Sequence, residues 1–184
     1  CEELPVMQSI SLRVVALTLG SVLALAGTAV AELKEGDAAP AFELPGSDGK
    51  THKLSDYQGK QVVVIAWYPK AFTGGCTNEC KSLREHGAAI RKFQVAYFTA
   101  SCDDAETNKK FAQSLELDYP ILSDPERKLS DALGVTDAAQ PRPRRWTIYI
   151  GKNGKVLHID KAVKTMSHGT DVAAKLKELG VESK

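Results

Sequence analysis

The sequence predicts an α/β protein with a central mixed β-sheet flanked by helices. Three observations carry that expectation. Val62–Trp67 (VVVIAW) and Val95–Ala100 (VAYFTA) are apolar runs without polar alternation, as in strands covered on both faces. Segments with helical spacing of apolar residues follow each of them. Near the C-terminus, Thr147–Ile150 (TIYI) and Lys155–Ile159 (KVLHI) flank Gly151-Lys152-Asn153-Gly154, the punctuation of an antiparallel hairpin.

The elements follow in order. Glu32–Lys60 carries Pro45-Gly46, Asp48-Gly49 and Gln58-Gly59 between short runs, which predicts a hairpin leading into the domain. After the first buried strand, Thr77–Phe93 sets Leu83, Ala88, Ile90 and Phe93 among charges, a helical pattern. Asp103–Leu115 follows the second strand as a helix, its acidic start suited to the N-terminal end of the macrodipole. Pro125–Leu133 is a short helix closing on Gly134, and Thr170–Leu179 a last helix before Gly180. There are no repeats, low-complexity tracts or linkers to divide the chain.

The chain has 184 residues, 43% hydrophobic and 26% charged, a composition that suits one folded domain. Its formal net charge of +1 offers no electrostatic footprint for nucleic acid or anionic lipid, so the expected partner is a small molecule. Residues 1–31 read as a leader. From Met7, taken as the natural start with residues 1–6 non-native, come Arg13, an apolar run over Val14–Ala26, and Ala29-Val30-Ala31 before Glu32. A charged start, apolar middle and A-x-A end are the parts of a cleavable secretory signal. Thr18, Gly20, Ser21 and Gly27 interrupt the run, which favours cleavage over a retained membrane anchor. The expectation is a periplasmic or secreted domain, residues 32–184, without stable membrane association.

Export bears on the thiols, because an oxidising compartment turns unprotected pairs into disulfides. Beyond the leader stand Cys76, Cys80 and Cys102, an odd number, so at least one is unpaired or an alternate partner. Two of them lie in Pro69–Cys80, PKAFTGGCTNEC, at the tip of the first buried strand. A thiol there meets the exposed N–H groups and macrodipole of a helix N-terminus, which favour the thiolate, and Gly74 and Gly75 let backbone approach closely.

The element order resembles the thioredoxin fold, and the cysteine stretch narrows the resemblance. Pro69, Thr73 and Cys76 fit the P-x-x-x-T-x-x-C signature of peroxiredoxins, and WYPKAFTGGCTNEC resembles the bacterioferritin-comigratory (PrxQ) branch. SCDDAETNKKFA, YPILSDPERKLSDALGV and Arg145-Trp146-Thr147 are similar to later segments of that family, in the same order. The resemblance implies a thiol-dependent peroxidase with no cofactor and no metal. Cys76 would attack hydrogen peroxide or an organic hydroperoxide. Thr73 would bond substrate and thiolate, Pro69 would shield the sulfur from water, and Arg145 would supply a guanidinium that stays charged and bonds both sulfur and oxygen. Glu79 matches the family's acidic residue three after the reactive cysteine, and equally fits a solvated first-turn glutamate; it is not assigned to the chemistry.

The sulfenic acid so formed condenses with a second thiol. Cys80, at i+4, shares a helical face with Cys76, where Cβ atoms stand about 5–6 Å apart. A disulfide needs roughly 3.5–4.5 Å, so the bond requires the first turn to unwind. The family's resolving cysteine in this helix is commonly one residue further on. Cys80 is favoured over Cys102, read as a small buried apolar side chain, and over a thiol from another protein. The reductant would be a thiol such as a thioredoxin-like protein, and two cysteines in one helix suit a monomer. A different class remains open. C-x-x-x-C after the first strand is also the spacing of Sco-type copper-binding proteins, whose two thiolates and imidazole suit copper. Gln140–Arg145 stands where those proteins carry their histidine, and His86, His158 and His168 read as surface or packing residues. A disulfide reductase would want C-x-x-C, which is absent.

Overall fold

The structure, a computed structural model, describes residues 33–184. The leader expected over residues 1–31 lies outside them. β1 (Glu43–Pro45) and β2 (Thr51–Lys53) form the expected hairpin, with Gly49 at φ +79° in its turn. β3 (Val62–Trp67), α1 (Gly74–Glu85), α2 (Gly87–Ile90), β4 (Val95–Ser101), α3 (Ala105–Ser114), β5 (Ile121–Ser123), α4 (Lys128–Ala132), β6 (Thr147–Ile150), β7 (Val156–Asp160) and α5 (His168–Glu178) follow. The main sheet has the order β5-β4-β3-β6-β7. β3, β4 and β5 are parallel, whereas β6 runs antiparallel to β3 and β7 to β6. This is the mixed, helix-flanked sheet of the thioredoxin-like fold.

The alternation along β3 divides the core. Val62, Val64 and Ala66 meet Leu83, Ile90, Val172 and Leu176 beneath α1, α2 and α5. Val63, Ile65 and Trp67 meet Phe42, Leu122, Leu129 and Leu133 on the other face. Every residue of β3 is buried, as the unalternated sequence requires. A third cluster, Tyr68, Ala71, Cys76, Cys80, Phe111, Leu115 and Ile121, closes the end of the sheet where β3 hands over to α1.

Several boundaries depart from expectation. The helix expected over Thr77–Phe93 begins earlier, at Gly74, and is broken at His86. At the break the His86 ring Nδ1 bonds the Ser82 carbonyl at 2.9 Å, and at the next position a side chain on Gly87 would overlap the Tyr97 hydroxyl. α3 starts at Ala105 because Asp104 is its cap, accepting the Thr107 N–H at 2.8 Å. β5 was not expected as a strand; it is three residues long and bounded by Pro120 and Asp124, too short for a pattern. Among the described residues no helix is long and apolar enough to cross a membrane.

α5 lies against α1 with almost no gap. A Cβ on Gly169 would overlap the Ser82 carbonyl. Ser82 Oγ donates to the Met166 carbonyl at 3.1 Å and accepts the Gly169 N–H at 3.0 Å. The start of α5 is thereby pinned to the middle of α1.

Candidate active site

Register brings the site together. Ala66 of β3 pairs with Thr147 of antiparallel β6, so the chain before Thr147 runs beside the chain after Ala66. The Trp67 N–H donates to the Trp146 carbonyl at 2.8 Å, one further rung. Arg145 therefore comes to lie at the loop that carries β3 into α1. That loop is tied down in turn: the Ala71 N–H donates to Asp103 Oδ2 at 2.8 Å, and the Thr73 hydroxyl donates to the Lys70 carbonyl at 2.9 Å.

Thr73 is the N-cap of α1, with no capping bond from its side chain, and its carbonyl accepts the first helical N–H, from Thr77, at 2.9 Å. Cys76 is the third helical residue, inside the first turn, where backbone N–H groups have no intrahelical partner. Its side chain is buried. Arg145 Nη2 donates to Cys76 Sγ at 3.4 Å, while Nη1 donates to Glu79 Oε2. Burial works against the Arg145 charge, but the Glu79 carboxylate and the Cys76 sulfur outweigh it and hold the guanidinium above its ordinary pKa. Gly75 makes room for this contact, since a Cβ there would come within 3.3 Å of Nη2; Gly74 has open space instead. Pro69 sits half-buried in the loop.

Cys80 lies one turn further on the same face of α1, fully buried. Burial, then the Glu79 charge, pushes its thiol far above the ordinary range, so it stays protonated at neutral pH. The Tyr119 hydroxyl donates to its carbonyl at 2.9 Å. Cys102 packs against the opposite core, its Sγ 3.5 Å from Ser130 Oγ. Burial raises its thiol as well, opposed by the Ser130 hydroxyl. Cys76, Cys80 and Cys102 are all free thiols.

One of the two readings left open for Glu79 needs correction, and of the two left open for His168 the structure selects packing. Glu79 is not a solvated first-turn residue: its side chain is 0% exposed and paired with Arg145. His168 is a packing residue with polar partners. It is 1% exposed, its Nε2 is 2.8 Å from Thr147 Oγ1, and its Nδ1 is 3.1 Å from Glu79 Oε1, though without the alignment of a regular hydrogen bond. Both were detectable. Glu79 shares the i, i+3, i+4, i+7 stripe with Cys76, Cys80 and Leu83, and His168 lies one and two turns before Val172 and Leu176 on the buried stripe of α5.

The site is tight rather than open. A groove of about 440 Å³ runs along Phe42, Leu44, Asp124 and Leu129 and contains none of the site residues, so the sulfurs, not this groove, mark the chemistry. Among the described residues, no group of three or more His, Cys, Asp or Glu is arranged to hold a metal ion. The imidazoles bond elsewhere: His86 to Ser82, His158 to Glu35, His168 to Thr147. A copper site at Cys76 and Cys80 would lack its nitrogen ligand.

A thioredoxin-type sheet that presents a buried cysteine at a helix N-terminus, under a guanidinium, defines a cysteine-based oxidoreductase. Comparison with known proteins makes the class specific. The chain belongs to the AhpC/TSA family, which matches residues 35–159. It is 34% identical over 152 residues to peroxiredoxin Bcp of Escherichia coli (strain K12), covering 79% of this chain and 97% of that protein. The crystal structure of peroxidoxin BcpB from Mycobacterium tuberculosis superposes with a TM-score of 0.72 at 28% identity, over 80% of this chain and 98% of that one. The C47S mutant of PrxQ from Xylella fastidiosa gives a TM-score of 0.75 at 24% identity, over 81% of this chain and 98% of that one, a likeness of fold. The protein is a peroxiredoxin: its substrate is a peroxide and its reductant a thiol.

Proposed function

We propose that this peroxiredoxin is an exported enzyme that reduces hydrogen peroxide or organic hydroperoxides through Cys76 and an intramolecular Cys76–Cys80 disulfide. The observation that carries the proposal is the Arg145 guanidinium, which reaches Cys76 Sγ at 3.4 Å inside a closed apolar cluster that also holds Cys80 but not Cys102. The Cys76 thiolate attacks the O–O bond. One oxygen stays on sulfur as a sulfenic acid, and the other leaves as water or alcohol after taking a proton. Arg145 donates to the thiolate and to the peroxide oxygens as charge moves onto them. Thr73, its hydroxyl proton committed to Lys70, can accept the peroxide O–H, while Pro69 keeps water from the sulfur.

Resolution needs the helix to open. In the intact turn Cys80 is too far from Cys76 for a disulfide and is held as a thiol, whereas the thiolate is the attacking species. Unwinding removes both obstacles: Cys80 reaches water, loses its proton and attacks the sulfenic sulfur, releasing water. A dithiol reductant, such as a thioredoxin-like protein, then returns both cysteines to thiols and leaves as its own disulfide. Both cysteines belong to one chain, which is consistent with a monomer. Met7–Ala31 supports export to the periplasm or medium, testable by fractionating cells that express the full chain.

Peptide mapping of protein treated with one equivalent of peroxide tests the pairing. The expected product joins Cys76 to Cys80 within one chain. A Cys76–Cys102 peptide would make Cys102 the resolving thiol.

A further inference from the structure

Behind the thiol and the guanidinium lies a second layer that the cycle above does not use. Glu79 is shared: Oε2 accepts from Arg145, and Oε1 faces His168 Nδ1 at 3.1 Å. His168 Nε2 is in turn 2.8 Å from Thr147 Oγ1, and Thr147 is itself buried in β6. The chain Cys76–Arg145–Glu79–His168–Thr147 thus crosses from α1 to the approach of β6, back to α1, to α5 and into β6.

The chemistry of the groups sets their order. A carboxylate only accepts, so Nδ1 must carry the hydrogen, and Nε2 is left to take the Thr147 hydroxyl proton. Without His168, Glu79 Oε1, which makes no regular hydrogen bond, would also lose the 3.1 Å contact with Nδ1, costly for a buried charged oxygen in an apolar interior. The relief available to it would be to turn and draw both guanidinium nitrogens onto the carboxylate. Arg145 would then leave Cys76 Sγ, because one cation cannot serve two buried anions fully.

We propose that His168 is a positioning residue for peroxide reduction: it holds Glu79, and Glu79 holds Arg145 on the sulfur. This rests on Cys76 being the attacking thiol. The effect falls on the oxidation of Cys76, not on recycling of the disulfide, which occurs with α1 open and Glu79 displaced.

The test uses two variants that divide the ring's functions. His168→Asn retains a donor near the Nδ1 position; His168→Gln retains a group near Nε2, at Thr147, and loses the one at Glu79. Single-turnover oxidation of reduced protein by hydrogen peroxide should be within about 3-fold of the parent for His168→Asn and at least 10-fold slower for His168→Gln. Reduction of the preformed disulfide by dithiothreitol should be unchanged in both. A purely structural role would instead be rescued by either variant or slow both half-reactions together; that pattern, or a His168→Gln that oxidises at the parent rate, overturns the proposal. Should a variant fail to fold, ¹⁵N NMR of histidine-labelled parent protein decides: His168 must carry a proton on Nδ1, and an imidazole protonated on Nε2 alone sinks the idea. Cys76→Ser separates the layers. If that variant still consumes peroxide, the assignment of Cys76 has failed; if it is inert while both His168 variants match the parent, only the positioning role has.

Discussion

Cys76 and Cys102 both lie beyond the ends of neighbouring parallel strands and differ in almost everything chemical. Each follows the C-terminal end of a parallel strand, β3 or β4, and precedes or opens a helix, α1 or α3. Cys76 lies inside the first turn of a 12-residue helix, under Arg145. Cys102 stops short of its helix, with Asp104 as the cap between, and turns to the other core, where Ser130 is its neighbour and the Asp124 and Asp131 charges act on it. A strand end therefore offers a place for a nucleophile without making one. The antiparallel return of β6, which delivers a guanidinium to one of the two places, makes the difference.

The comparison breaks most visibly at the thiols themselves. Cys76→Ser should abolish peroxide consumption, the loss being total within the background rate, while Cys102→Ser should keep at least half of it. Equal losses would erase the distinction between the two positions. Next in size is the cation. Arg145→Met should slow the peroxide oxidation and the iodoacetamide labelling of Cys76 by about 10²–10³, as expected for losing a charged donor aimed at developing charge; Arg127→Met, near Cys102, should change neither by more than about 2-fold. Loss of the same size from both variants would mean that general surface charge, not the Sγ contact, matters.

Cys80→Ser sharpens the contrast rather than breaking it. This variant should consume one equivalent of peroxide at near the parent rate, stall, and accumulate sulfinic acid on excess peroxide, read as +32 Da by mass spectrometry. Sustained turnover with a disulfide still forming would point to Cys102. The smallest effect is on stability. Burial raises the Cys80 thiol, so the folded state keeps its proton above the pH at which the unfolded chain releases it. Its contribution is complete below about pH 8.5 and is lost as pH rises, by at most about 1.4 kcal/mol per unit. Buried Tyr68, Tyr97, Tyr119 and Tyr149, also raised chiefly by burial, add to the same alkaline loss. Urea unfolding between pH 8 and 11 should therefore show a shallower decline in Cys80→Ala; an identical slope would mean that Cys80 titrates normally.

The sheet was largely legible because its central strands are buried on both faces, and such burial leaves an unbroken apolar run. The start of α1 was less so: Gly74-Gly75 reads as a loop by propensity, yet both residues are helical in the fold. Arg145 emerges from pattern only through likeness to a family, since its proximity to Cys76 is a product of antiparallel register between segments 69 residues apart. Glu79 and His168 were legible as members of apolar stripes, but reading them so means accepting a charge in a core, which local sequence cannot justify. What justifies it is three elements converging, α1, α5 and the approach to β6, each supplying one partner.

Phe72 stands just before the cap of α1 with φ at +59°, a left-handed backbone that a bulky side chain rarely adopts, and its ring is 58% exposed. Its ring packs against that of Phe111, ring centre to ring centre 4.9 Å. Such a conformation costs of order 1–2 kcal/mol. The closed fold carries that cost at the residue before the cap, and on the proposed cycle an opening of the first turn would free Phe72 to leave it. If the proposed cycle holds, the closed enzyme would be cocked: relaxation of Phe72 would favour the opening that a Cys76–Cys80 bond requires.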